Sequence, residues 1–280
     1  MLVNPKQMIL DAQRDGYAIG CFNTSDLEIT KAIIAAAEKL KSPVIIATSE
    51  KAIEYAGLEN LASLIQEAGS NASVPVALHL DHGKSLAMVE KCLNAGYTSV
   101  MIDGSKLPLE ENIALTFQAA LRAHAEDIPC EGELGALGKA GDAENQLTNP
   151  EDVLGFVKKT EVDMLAPSIG SKHGAEGEEK LDIGLLKKIR SYTDIPLVLH
   201  GGSGVPDEDI RQAIAGGIAK INIDTDIRHE FTRELREILK EYPKEEDFRE
   251  ILGKVMSKVQ ELVEKKIKLF GAENRVEKIK

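Results

Sequence analysis

The sequence has no apolar run approaching the roughly 20 residues that a membrane-spanning helix needs. Its start, MLVNPKQMIL, has no basic stretch followed by an apolar core, so it does not read as a secretory leader. These absences lead to the expectation of a cytoplasmic protein that neither crosses nor binds a membrane. Positive charge is also in deficit. Against 46 Asp and Glu stand 34 Lys and Arg, a formal net charge of -12. No global field therefore draws the chain to nucleic acid or anionic lipid, and any anionic ligand has to be held by local groups. Cysteine is scarce: Cys21, Cys92 and Cys130 are far apart and show no CxxC spacing. That excludes a disulfide framework and a Cys-based metal site, and it fits small, reduced, buried side chains. Low-complexity tracts, short-period repeats and interdomain linkers are missing as well.

What is present is enough apolar matter for a large core. With 43% hydrophobic and 29% charged residues, the chain can offset its ordering entropy, which excludes wholesale disorder. Eight short β-rich runs occur near 17–22, 43–48, 75–80, 98–102, 129–133, 162–166, 196–200 and 218–223. Each is followed by a stretch of helical periodicity, at 27–40, 58–67, 86–94, 109–125, 150–159, 183–192, 206–215 and 226–239. Start signals agree: Asn149 before Pro150 and Glu151 reads as an N-cap, and Pro206 with Asp207 opens the seventh helix. Parallel strands need helical crossovers, and eight such units close on themselves, so the expected architecture is α/β, a (β/α)8 TIM barrel formed by one domain over residues 1–280. A doubly wound open sheet is the second choice. Two stretches break the repeat, 135–148 and 170–180, rich in Gly and charge, and read as mobile loops at the mouth. The tail, about 243–280, reads as one or two amphipathic helices that cover the bottom, meet another subunit or present a solvated face.

In a barrel of this kind chemistry sits at the carboxyl ends of the strands. Here those ends are polar: HLDHG, IDGS, ELG, SIGSKHG, LHGGSG and NIDTD. Of six histidines, His82, His173 and His200 fall at or just past the ends of strands three, six and seven. Three imidazoles converging from separate strands form the ligand set of a catalytic Zn2+ that keeps one open position. His79 lies inside strand three with the opposite orientation, and His124 and His229 lie on helices, so all three read as structural. Asp103 and Glu133 end strands four and five, where they would form an alternative metal position or orient the ligands. Asp81, next to His82, would project beside the metal and move protons. The glycines of HGGSG let backbone amides approach an anion. With Ser203 and the end of strand eight they form a phosphate cradle of Gly201, Gly202, Ser203, Asn222, Asp224 and Thr225.

Taken together, HLDHG, IDGS, ELG, SKHG, LHGGSG and KINIDTDIR resemble the class II, metal-dependent fructose-bisphosphate aldolases, in order and across nearly the whole chain. The resemblance implies Zn2+ on His82, His173 and His200, a second or alternative position using Asp103 and Glu133, and room for a monovalent cation. It implies Asp81 as proton donor and acceptor, with Glu133 or a loop acid exchanging the proton on the enediolate side. Gly174, Gly201, Gly202, Ser203, Asn222, Ile223, Asp224 and Thr225 would then bind the dihydroxyacetone-phosphate half, Ser49 the glyceraldehyde-phosphate half, and Asn23 would also contact the substrate. Arg228 would grip the second phosphate, across a subunit boundary in a homodimer or homotetramer. The implied reaction is reversible aldol cleavage of fructose 1,6-bisphosphate through a zinc-stabilised enediolate. The tagatose epimer, another phosphorylated ketose and a noncatalytic sugar-phosphate binder are the alternatives. Asp224 and Arg228 favour fructose. One departure stands out: where relatives commonly read HGxY at the position of His173, this chain has HGAEGEEKLDIG, shorter and acidic, and Lys106 and Lys172 replace residues that are often uncharged or His.

Overall fold

The inner wall is made of strands β1 (Ile19–Asn23), β2 (Val44–Ser49), β3 (Val76–Gly83), β4 (Ser99–Ile102), β5 (Cys130–Leu134), β6 (Met164–Pro167), β7 (Leu197–Leu199) and β8 (Ile218–Ile223). Each pairs in parallel with the next, and β8 returns to β1 through Cys21↔Asn222, closing the barrel. The computed structural model describes residues 1–136, 147–171 and 180–276. This is the expected TIM barrel, and every strand falls within a few residues of its sequence pattern. No helix among the described residues is long and apolar enough to cross a membrane.

Around the wall run α1 (Lys6–Asp15), α2 (Leu27–Lys39), α3 (Glu50–Ala56), α4 (Leu58–Asn71), α5 (Leu86–Asn94), α6 (Leu109–His124), α7 (Pro150–Thr160), α8 (Ile183–Arg190), α9 (Asp207–Ala215), α10 (Thr225–Glu241) and α11 (Phe248–Leu269). Local chemistry explains several starts. Asp26, Ser85 and Asp182 accept from the backbone N–H three residues on, and Asn149 accepts from Glu151 N with Pro150 in the first turn. Pro206 stands one position outside α9, with Asp207, Glu208 and Asp209 in the first turn against the helix dipole. Helices α1 and α3 were not expected from the sequence. The tail forms the single 22-residue helix α11. It lies along α2 and α10, burying Val255, Val259, Val263 and Ile267 at four-residue spacing, and Glu264 meets Lys39 at 2.7 Å. The residue just after it reaches the base of β1, where Ala18 N–H donates to Phe270 O at 3.0 Å.

The two faces of the strands differ in kind. On β3, Val76, Leu78 and Leu80 alternate with Ala77, His79 and Asp81, so one parity meets the helices and the other the lumen. A side chain at Gly132 would run into Thr116, Val162 and Phe156 of the outer layer, while its neighbours Glu131 and Glu133 turn inward. All three cysteines are buried free thiols, as expected.

The alternation breaks once at the end of β3, and that break shapes the mouth. Pairing with β4 slips between Leu80 and Gly83, and His82 adopts a left-handed backbone with φ of 51°. Regular pleating would send Asp81 and His82 to opposite faces; the bulge brings both to the lumen. Gly83 is obligatory there, because a Cβ would lie 2.7 Å from Met101 O and 2.8 Å from Leu80 Cδ2. Most of both stretches read as mouth loops, 137–146 and 172–179, lies outside the described residues, and with them His173, Gly174 and Lys172. The stems are tied down: Thr148 N–H donates to Ser168 O at 3.0 Å and Asp182 N–H to Ile169 O at 2.8 Å.

Candidate active site

Four strands, β3, β4, β5 and β7, deliver titratable side chains to one end of the lumen. His82 from β3 and His200, just past β7, meet edge to face, with ring centroids 4.6 Å apart and an interplanar angle of 80°. His82 Nε2 and His200 Nδ1 face each other at 2.8 Å. On its far side the His82 ring donates from Nδ1 to Asp103 Oδ2 at 2.9 Å, with Glu133 Oε2 at 3.5 Å. Asp81 Oδ1 lies 4.0 Å from His82 Nε2. Two ligand groups result, Asp81 with His82 and His200, and His82 with Asp103 and Glu133; within each, the donor atoms lie within 4.8 Å of one another.

Electrostatics shows what such a cluster demands. Burial disfavours a charged His82, but Asp81, Asp103 and Glu133 outweigh it and push the imidazolium up to about 10. Burial and the neighbouring His82 hold His200 below the ordinary histidine value despite its bond to Glu131. Burial would raise the Asp81 carboxyl; His82, His200 and the Asn23 amide overcome this and bring it down to about 2. Asp103 is likewise held below the usual carboxylate range, burial being outweighed by His82 and Ser105. Three carboxylates around two facing imidazole nitrogens thus hold a proton where a divalent cation would satisfy more of the donors at once. The residues fit a metal of the kind that takes nitrogen and oxygen ligands.

Asp81 is held for work on a proton. Its Oδ2 accepts from Asn23 Nδ2 at 2.8 Å and its Oδ1 from Asn222 Nδ2 at 2.9 Å. Asn222 cannot flip, because its Oδ1 accepts from Lys220 Nζ at 2.9 Å and an ammonium has only protons to offer. Asn23 Oδ1 is buried and has no hydrogen-bond partner among the described residues.

Beneath this layer lies a buried polar group that the sequence reading passed over. Glu131 accepts from His200 Nε2 at 2.6 Å and from Lys220 Nζ at 2.8 Å, and Glu131 and Lys220 are both 0% exposed. Lys220 also approaches His79 Nε2 at 3.4 Å, so that ring keeps its proton on Nδ1 and gives it to Ser99 Oγ at 2.9 Å. Burial and the Lys220 charge take His79 down to about 3. His79 therefore points into the lumen beside Asp81, not away from the site as its spacing from His82 suggested, and it is neutral. Its structural reading stands in this sense: it touches no candidate ligand nitrogen. His124, on α6, meets Asp163 at 2.8 Å outside the barrel, and His229, on α10, is exposed.

Across the mouth, Gly201 takes a φ of 64°, and a Cβ on Gly202 would meet Ile221 Cγ2 at 2.6 Å. Ser203 Oγ accepts from Asp226 N at 3.1 Å in the first turn of α10, joining the HGGSG segment to that helix start. Ile223 is buried as the last residue of β8. Thr225 opens α10, and Asp224 pairs with Arg228 at 2.9 Å. Ser49 caps α3 through Ala52 N at 3.3 Å. Asn23, Ser49, Asp224 and Arg228 line one cavity of about 370 Å³, together with Thr24, Lys51 and Tyr55. Arg228 thus faces the opening of its own chain. Lys106 is exposed in the turn after β4.

Comparison with known proteins agrees with this geometry. A family profile described as "Fructose-bisphosphate aldolase class-II" matches residues 3–275. The chain is 45% identical over 251 residues to a fructose-bisphosphate aldolase of Geobacillus stearothermophilus, covering 86% of this chain and 87% of the relative. It is 42% identical over 277 residues to a 6-phospho-5-dehydro-2-deoxy-D-gluconate aldolase of Shouchella clausii, covering 96% and 94%. The crystal structure of the YdjI aldolase from Escherichia coli K12 superposes with a TM-score of 0.88 at 35% identity, over 99% of this chain and 100% of that one. A barrel whose lumen gathers histidines and carboxylates at the carboxyl ends of its strands, matched over nearly its full length, belongs to the class-II fructose-bisphosphate aldolase family.

Proposed function

We propose that this chain is a zinc-dependent ketose-bisphosphate aldolase that reversibly cleaves fructose 1,6-bisphosphate to dihydroxyacetone phosphate and glyceraldehyde 3-phosphate. The observation that carries the reading is the meeting of His82 Nε2 and His200 Nδ1 at 2.8 Å, beside an Asp81 carboxylate held by two amides. His82, His200 and His173, the last outside the described residues, would hold the catalytic Zn2+, and Asp103 and Glu133 a second or alternative position. When bound, the ion supplies a Lewis acid for the substrate carbonyl and for the negative charge that develops as C3–C4 breaks.

The chain's own groups do the rest. Asp81 takes the proton of the C4 hydroxyl in cleavage and returns it to the aldehyde oxygen in condensation; Asn23 and Asn222 keep both its oxygens aimed and its charge in place. Asn23 Oδ1, a buried acceptor, suits a substrate hydroxyl. Glu133, with its carboxylate 3.5 Å from His82, exchanges the C3 proton. One phosphate sits on Gly201, Gly202 and Ser203 and the start of α10, near Asn222, Ile223, Asp224 and Thr225, with Gly174 from the segment outside the described residues. The distal phosphate lies in the cavity of Ser49 and Arg228, where a guanidinium can bind it bidentately. Fixing the substrate at both ends orients the reacting carbons. The working unit is a single domain over 1–280, acting in the cytoplasm as a homodimer or homotetramer; the buried free thiols support a reducing compartment.

The test is metal analysis joined to cleavage assays on fructose and tagatose 1,6-bisphosphates, with and without EDTA, for the parent and His200→Ala. The expected result is roughly one tightly held zinc per chain, preference for the fructose epimer, and loss of metal and turnover together in EDTA and in the variant. Full activity without metal would end the proposal. A third substrate, 6-phospho-5-dehydro-2-deoxy-D-gluconate, is worth running, because it carries a carboxylate at the end where the bisphosphate has its second phosphate. Preference for it would move the assignment to that acid sugar.

A further inference from the structure

A lysine and a glutamate sealed inside a barrel are costly for the fold. Removing both charges from water is offset only by good geometry, and apolar residues of the same volume often serve stability as well or better. Stability alone therefore gives no reason for Glu131 and Lys220. Their contacts do. Glu131 divides its two oxygens, Oε1 accepting from His200 Nε2 at 2.6 Å and Oε2 from Lys220 Nζ at 2.8 Å. Lys220 in turn donates to Asn222 Oδ1 at 2.9 Å, and Asn222 donates to Asp81 at 2.9 Å. One chain of donors and acceptors thus runs from a candidate metal ligand to the candidate acid–base. Every direction in it is fixed by lysine having only protons and carboxylates only lone pairs.

We propose that Glu131 and Lys220 are positioning residues for the reaction: Glu131 fixes the His200 tautomer so that Nδ1 faces the metal position, and Lys220 sets Glu131 and the Asn222–Asp81 pair in a common register. The proposal rests on the metal reading above. It follows from hydrogen-bond geometry: with the Nε2 proton engaged by a carboxylate, the Nδ1 lone pair is the one available toward His82. Neither residue touches the mouth. Both sit one pleat below the reacting layer, at two-residue spacing from Glu133 and Asn222 on their own strands. Lys220 is fully buried and committed to Glu131, which leaves it in no position to form a Schiff base with a ketone.

The experiment compares parent, Glu131→Gln, Lys220→Met, the double variant E131Q/K220M and His200→Ala. It reads zinc affinity by competition with a chelator, the absorption spectrum of the cobalt-substituted protein, thermal unfolding, and kcat and KM separately. Glu131→Gln should weaken zinc binding about 10- to 100-fold, shift the cobalt bands and lower kcat while leaving KM within about threefold. Lys220→Met should show the same pattern with a larger fall in kcat, since it also releases Asn222. If a single variant unfolds because it strands a buried charge, the double variant, which removes both charges, decides the matter. It should fold like the parent and still bind zinc at least about 10-fold more weakly. A folded double variant with parental zinc affinity and parental cobalt spectrum overturns the proposal. If His200→Ala has meanwhile lost the metal, the metal reading survives that result; if His200→Ala binds zinc like the parent, both fall.

Discussion

The lumen and the outer shell of this barrel are built from the same strands, yet they follow opposite rules. Toward the helices, β3 presents Val76, Leu78 and Leu80, all fully buried; toward the lumen it presents His79 and Asp81, also buried but each bound to polar partners. Strand β8 does the same with Ile221 and Ile223 against Lys220 and Asn222. The shell gains from apolar area removed from water, which is non-directional and tolerates small shifts. The lumen gains only if each donor finds its acceptor, so it is directional and brittle. One parity of residue therefore holds the fold, and the other spends its conformational order on chemistry.

That division can be broken from either side. The largest effect is expected in the lumen: Asp81→Ala should lower kcat by about 10²- to 10⁴-fold, about 3–5.5 kcal/mol of barrier, while zinc content and thermal unfolding stay near those of the parent. Turnover close to normal would move the proton role to another group. On the shell side, Leu78→Ala should cost about 2–5 kcal/mol of stability by leaving a cavity, read by denaturant unfolding, with kcat per folded molecule preserved. A loss of kcat without a loss of stability would show that the two faces are not separable. The smallest effect belongs to the rim, which neither holds the fold nor moves the proton but grips the far end of the substrate. Arg228→Ala should raise KM for the bisphosphate about 10-fold, with little change in dihydroxyacetone-phosphate affinity or in unfolding. Equal changes toward both ligands would remove Arg228 from the distal phosphate.

How much of this was readable beforehand depends on which physics wrote the signal. Strand and helix alternation is written by burial, which repeats along the chain, so all eight units and caps such as Asn149 could be placed from the sequence. Helix α1 was passed over because its apolar residues Met8, Ile9 and Ala12 occupy only a few positions, and α3 because it is seven residues long and starts at a Ser49 already assigned to ligand binding. Glu131 and Lys220 left a weaker trace: Glu131–Glu133 and Lys220–Asn222 are polar pairs two apart inside apolar strands, a period that marks a polar lumen. His79 was turned to the wrong face because strict alternation was extended across His82, where the backbone is left-handed. The family resemblance supplied residue roles that periodicity could not, among them a grip on the second phosphate by Arg228, which lines the same cavity as Ser49.

The slip between Leu80 and Gly83 has a practical corollary for anyone transplanting this chemistry. An idealised barrel with uniform pleats could accept every liganding and proton-handling side chain at the matching positions and still aim one imidazole into its oily jacket. The irregularity must travel with the residues, and screening scaffolds for it would come before choosing any side chain.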